Sequence, residues 1–133
     1  MASDAKLLWL RRVLVFKAFF AISMGLLTLL GPLSLLELLG MPIPADPIYL
    51  RLVGTAATGW GVAYWFAHKD PVRNVAIVKA GIVDNALPTA AVVLVGLTSG
   101  VSSVLLWVSA LITGLVFVSL LILMPREGEA VAT

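Results

Sequence analysis

Asp84, Asn85 and Pro88 fall within little more than one helical turn, inside a run from Val75 to Leu97 that is otherwise apolar except for Lys79 and Thr89. A carboxylate near the centre of a bilayer costs about 3 kcal/mol on insertion scales. Pro88 has no N–H, so the carbonyl of Asp84, four residues back, loses its helical partner. Two polar demands therefore coincide. One chemistry that answers them is a proton-accepting or ligand-holding group in a kinked helix. The other answer is a packing device, in which Asp84 pairs with a base and fixes helix register.

Arg51 is the natural counter-charge. Gly54, Thr55 and Thr58 share its helical face, and such small residues let a second helix approach closely. The spacing puts Asp84 about 10 Å deeper than Arg51, at about 1.5 Å per residue. The arginine stem and water span that gap; alternatively, Arg51 caps the outer boundary near headgroups. Asp84, Asn85, Arg51 and Thr58 are thus the candidate ligand-binding or buried polar residues.

Other groups have plainer readings. Lys17 and Lys79 are expected to snorkel toward one surface, or one of them pairs with Asp84 from below. Trp60, Tyr64, Trp65 and Phe66 suit an interfacial aromatic belt, or a pocket for a flat apolar ligand such as a quinone. His68, beside Lys69 and Asp70, reads as a solvated turn residue. The chain has one histidine and no cysteine. Those counts exclude disulfides, thiol redox chemistry, thiolate metal sites and paired-histidine haem ligation. No serine has a histidine or lysine at motif spacing, and no glycine-rich phosphate loop is present. Neither a catalytic residue nor a metal site is assigned.

The elements that must position these residues are membrane spans. Of 133 residues, 61% are hydrophobic and 12% charged, a charge share about half that usual in soluble domains. The net charge of +2 gives no support for nucleic-acid binding. A single domain, 1–133, is expected, with spans at about 13–30, 48–66, 75–97 and 101–124. Each falls within the range of about 17–25 residues that crosses a core of about 30 Å. A cleaved signal peptide is the rival reading for the first span, but no A-x-A site follows it.

Residues 1–12 read as a short basic tail. Gly31-Pro32 ends the first span, and residues 33–39 suit a short interfacial helix. A rigid loop follows, with Pro42, Pro44 and Pro47 close to Gly40. Asp46-Pro47 and Asp70-Pro71 are helix-start signals. Lys6, Arg11 and Arg12 precede the first span, Lys69 and Arg73 lie in the second loop, and Arg126 follows the fourth span. The first and third loops hold no base. That alternation predicts both termini on the cytoplasmic side.

Gly25-Leu26-Leu27-Thr28-Leu29-Leu30-Gly31-Pro32, then Leu35-Leu36-Glu37-Leu38-Leu39-Gly40, lead into the proline-rich loop. Arg51-Leu52-Val53-Gly54 follows, with Gly59 or Gly61 one to two turns on and a short basic turn after that. This pattern, from about Phe16 to Met124, resembles the DoxX-like superfamily of small four-helix bacterial membrane proteins. The resemblance implies an all-α, up-down antiparallel four-helix bundle in the bacterial inner membrane. Some members are subunits linked to quinone-coupled sulfur oxidation, so it also implies quinone as a candidate cofactor. The lack of cysteine separates this chain from four-helix thiol-redox quinone reductases.

The sequence therefore leads to a non-enzymatic membrane protein, an accessory subunit or lipophilic-ligand binder. Its partners would be the lipid bilayer and other membrane subunits or a second copy. Two alternatives remain: a quinone-linked oxidoreductase component using Asp84 for proton handling, and a small transporter.

Overall fold

The computed structural model describes residues 4–100 and 103–125, and these form five helices with no strand. The helices are α1 (Asp4–Leu30), α2 (Leu33–Leu38), α3 (Ile48–Lys69), α4 (Val75–Thr98) and α5 (Val104–Leu123). Three of them, α1, α4 and α5, are long and apolar enough to cross a membrane. Helix α3 has 22 residues, but its glycines, threonines, Arg51, His68 and Lys69 keep it less apolar.

The first helix starts earlier than the sequence suggests. Residues 4–12 are its opening turns rather than a separate tail. The cause is the spacing of Leu10, Leu14 and Ala18, each fully enclosed. Arg11 and Arg12 fall on the exposed side of the same turns.

Helix ends follow local chemistry. The α2 helix closes with Gly40 at φ +77°. Gly40 N–H donates to the Glu37 carbonyl and Met41 N–H to that of Leu36, at 2.8 and 3.0 Å. This paired closure needs a left-handed residue, which glycine adopts without steric cost. Asp46 Oδ1 accepts from Ile48 N at 3.0 Å and starts α3. Asp70 Oδ1 instead accepts from Arg73 N at 3.0 Å, within a turn ahead of α4. Ser103 caps α5 by accepting from Leu106 N, and its hydroxyl donates to the Gly40 carbonyl. Residues 101–102, expected in the last span, lie outside the described residues.

The long helices touch in a closed ring, α1 to α3, α3 to α4, α4 to α5 and α5 to α1. The ring is uneven. Helix α1 lies along α3 and α4 along α5, and the two pairs meet over less of their length.

The α1–α3 contact is one of backbone against backbone. A Cβ on Gly54 would come within 2.6 Å of Leu29 N and 2.7 Å of the Gly25 carbonyl oxygen. One on Gly61 would come within 2.8 Å of Ile22 N. Ala18, Ala21, Gly25 and Thr28 supply the matching buried stripe on α1. Without side chains between them, the helices reach a separation at which dispersion is gained along the whole contact. The pairs are joined by an apolar core of Leu10, Leu14, Ala18, Tyr64, Ala67, Val78, Val116 and Leu120. These residues gather where α1 begins and α5 ends.

Candidate functional site

Directly beyond that core, α1, α3 and α4 contribute one polar cluster. Tyr64 on α3 is fully buried. Its hydroxyl donates to Asp84 Oδ2 at 2.7 Å and accepts from Asn85 Nδ2 at 2.9 Å. Asn85 Nδ2 also donates to the Gly81 carbonyl one turn back, at 2.7 Å. Lys17 on α1 is 5% exposed. Its ammonium lies 5.9 Å from the Tyr64 ring centroid and 5.8 Å from that of Phe20. It is attracted to Asp84 through space rather than by direct contact.

The local sequence explains the assembly. Gly54, Gly61, Tyr64 and Ala67 form the buried stripe of α3, so Tyr64 continues the face that packs on α1. Gly81 makes room for its ring, since a Cβ there would meet Tyr64 Cε1 at 2.7 Å. Val78, Gly81 and Asn85 are the buried residues of α4, spaced by three and four.

Asn85, rather than Asp84, therefore points most directly inward. Asp84 sits on the flank and is half-buried, while Ala80, Pro88 and Ala91 are exposed. Of the residues that helical spacing groups with Asp84, namely Ala80, Gly81, Pro88 and Ala91, only Gly81 is buried. The deciding contact is the Tyr64 ring, which occupies the space over Gly81 and turns the helix.

Arg51 and Asp84 are not brought together. Arg51 Nη1 donates to the carbonyls of Thr28 and Gly31, both at 2.8 Å. These acceptors belong to the last turn of α1 and the residue after it, where helical carbonyls lack N–H partners. A guanidinium also suits the negative end of a helix dipole. Arg51 is thus a cap on α1, and Asp84 finds its donor in Tyr64.

Thr58 is a packing residue. Its hydroxyl donates to the Gly54 carbonyl at 2.8 Å, and its backbone lies against Gly25. Tyr64 does not join an interfacial belt, and Lys17 does not snorkel; both are enclosed. His68 falls in the last turn of α3, with its ring 4.6 Å from that of Trp65. Sequence reasoning missed Tyr64 as the partner of Asp84. The signal was present, because Tyr64 lies three residues after Gly61, on the small-residue face.

A second polar seam joins α4 and α5. The hydroxyls of Thr89 and Thr113 are 2.7 Å apart, and Thr89 also donates to the Asn85 carbonyl at 2.9 Å. Two polar atoms remain buried without a partner among the described residues, Asn85 Oδ1 and His68 Nδ1. No group of His, Asp and Glu suited to a metal forms among the described residues.

The cluster joins the two helix pairs by hydrogen bonds and a through-space charge attraction. Its one carboxylate already accepts a hydrogen bond from a phenol. No protein-family model, curated protein or solved structure matches the chain.

Proposed function

We propose that the chain is a non-enzymatic, four-helix integral membrane protein of DoxX-like type that binds a lipophilic ligand or serves as an accessory subunit. In this reading it lies in the bacterial inner membrane with both termini cytoplasmic. One observation carries it. Arg51, Tyr64, Asp84 and the Thr89–Thr113 pair hold helices to one another, while the groove left open between α4 and α5 is almost wholly apolar. Arg51 binds α1 carbonyls, Asp84 binds Tyr64 and Lys17 lies among aromatic rings. By contrast, a groove of about 380 Å³ between α4 and α5 is lined by Val93, Trp107, Leu111 and Leu115, with Thr89 as a polar point. Such a surface takes an apolar molecule and offers it no reacting group.

The test is mild solubilisation followed by mass spectrometry of the lipids, quinones and proteins that stay bound. A lipophile or a membrane subunit retained in near-stoichiometric amount supports the reading. Retention of neither would sink it.

A second reading is favoured by the short Tyr64–Asp84 contact. In it Asp84, a carboxylate set in an apolar helix and held by the Tyr64 hydroxyl at 2.7 Å, is the group that takes up and releases the proton, as a quinone-linked redox component would need. That reading requires a redox-active partner or quinone in the purified sample, and loss of electron transfer in Asp84→Asn.

A further inference from the structure

The second open groove, between α1 and α5, differs from the first in having a cation at one end. Trp9 and Arg12 line its shallow end on α1, with Ser119 opposite on α5; Phe16, Ile112 and Leu115 line its deeper end. Its direction is fixed by Lys6, whose ammonium donates to the Met124 carbonyl at 3.2 Å and ties the start of α1 to the end of α5. The groove has a volume of about 280 Å³. Phe16 and Leu115 leave 53% and 60% of their surfaces uncovered.

The guanidinium of Arg12 lies 5.0 Å from the centroid of the Trp9 ring, and that ring is its one partner among the described residues. A cation–π contact of this kind uses none of the guanidinium's N–H donors, which stay available at the rim. An apolar channel about two helical turns long, ending in an oriented guanidinium, is complementary to an amphiphile with an anionic head. Its base-rich end also carries Lys6 and Arg11. In a cytoplasmic leaflet the abundant molecule of that chemistry is an anionic phospholipid.

We infer that the α1–α5 groove is a binding site for one anionic phospholipid, with an acyl chain against Phe16, Ile112 and Leu115 and the phosphate on Arg12. A guanidinium binds phosphate through paired N–H donors, and tryptophan suits the headgroup depth. The site rests on the reading of the chain as a membrane protein that binds lipophiles, and it names the ligand class.

The experiment is native mass spectrometry of the full chain released from nanodiscs of equal parts phosphatidylglycerol and phosphatidylcholine. The wild type retains one phosphatidylglycerol in preference to phosphatidylcholine, by about fivefold, as one base facing an anionic headgroup predicts. Arg12→Gln loses that preference, and Arg12→Lys keeps part of it. Arg73→Gln, a base at the same end but outside the groove, leaves it unchanged. Ile112→Trp fills the deep end and lowers retention with Arg12 intact, so the site is tested even if one variant folds poorly.

Equal retention of both lipids by the wild type overturns the inference, as does an Arg73→Gln protein that loses as much as Arg12→Gln. So does a dimer that buries the groove and dissociates in Ile112→Trp. Retention of a neutral lipophile without any preference for phosphatidylglycerol overturns this inference and leaves the broader reading standing. Retention of no lipophile at all removes both.

Discussion

Tyr64→Phe removes one oxygen and keeps the ring that fills the space over Gly81. It deprives Asp84 of its donor and Asn85 Nδ2 of one acceptor, at 2.7 and 2.9 Å. In soluble folds a hydrogen bond to a charged group contributes about 1.5–3 kcal/mol and a neutral one about 0.5–1.5 kcal/mol. Polar contacts between membrane helices average about 0.6 kcal/mol and reach about 1.7. Asn85 is fully enclosed and keeps its bond to Gly81, whereas Asp84 is half-buried and loses the bond that Tyr64 gives it. In the proposed membrane setting the helix-to-helix values apply, the upper one to Asp84 and the average to Asn85, and the loss comes to about 2 kcal/mol. The assay is reversible unfolding in mixed micelles by denaturing-detergent titration, for Tyr64→Phe, Asp84→Ala and the double variant. The double variant should be milder than additivity requires by about 1 kcal/mol or more, because each single change already breaks the shared bond. Additivity within about 0.5 kcal/mol would show that Tyr64 and Asp84 do not act on one another, and the account of the cluster would fail.

Three further outcomes follow from the packing and the charges. Gly54→Ala sets a methyl group against the backbone of Leu29 and Gly25, which cannot rotate away, and should destabilise by about 1–3 kcal/mol. Gly59→Ala meets nothing within 4 Å and should be neutral or stabilising by up to about 1 kcal/mol from helix propensity; equal effects of the two in the same titration would place α3 differently. Arg51→Gln should cost about 1–3 kcal/mol through the lost bonds to the Thr28 and Gly31 carbonyls. That cost should add to that of Asp84→Asn, and strong coupling between the two would restore the ion pair that the structure replaces. Reporters inserted in the turn at residues 68–74 should read cytoplasmic and those in the loop at residues 40–47 periplasmic. The reverse pattern would invert the proposed topology.

Much of the helical layout was legible in the chain itself. Apolar runs of sufficient length, bounded by Gly31-Pro32, Asp46-Pro47 and Thr98-Ser99-Gly100, mark the helices because length and hydropathy are local properties. The short helix at Leu33–Leu38 was legible for the same reason. So was the face of α3 that holds Arg51, Gly54 and Thr58, since helical periodicity puts these residues together wherever the helix lies. The polar demand of Asp84 and Asn85 was equally a sequence property, since a carboxylate and an amide stand side by side in an otherwise mostly apolar run.

Which groups meet that demand was decided only by tertiary structure. Arg51 and Tyr64 both lie on the α1-facing side of α3, and periodicity cannot choose between them as partners for Asp84. Depth along the helix axis and the path of neighbouring helices make the choice. Gly25 and Gly54 bring α1 so close to α3 that the open carbonyls at the end of α1 fall beside Arg51 and satisfy it there. Gly81 then admits the Tyr64 ring, which carries a hydroxyl to Asp84 and Asn85. Lys17 was likewise placed by packing, because Leu14, Ala18 and Ala21 bury its side of α1 against the other helices. Sequence states what each residue needs from its surroundings; the distances that decide which neighbour supplies it belong to the folded chain.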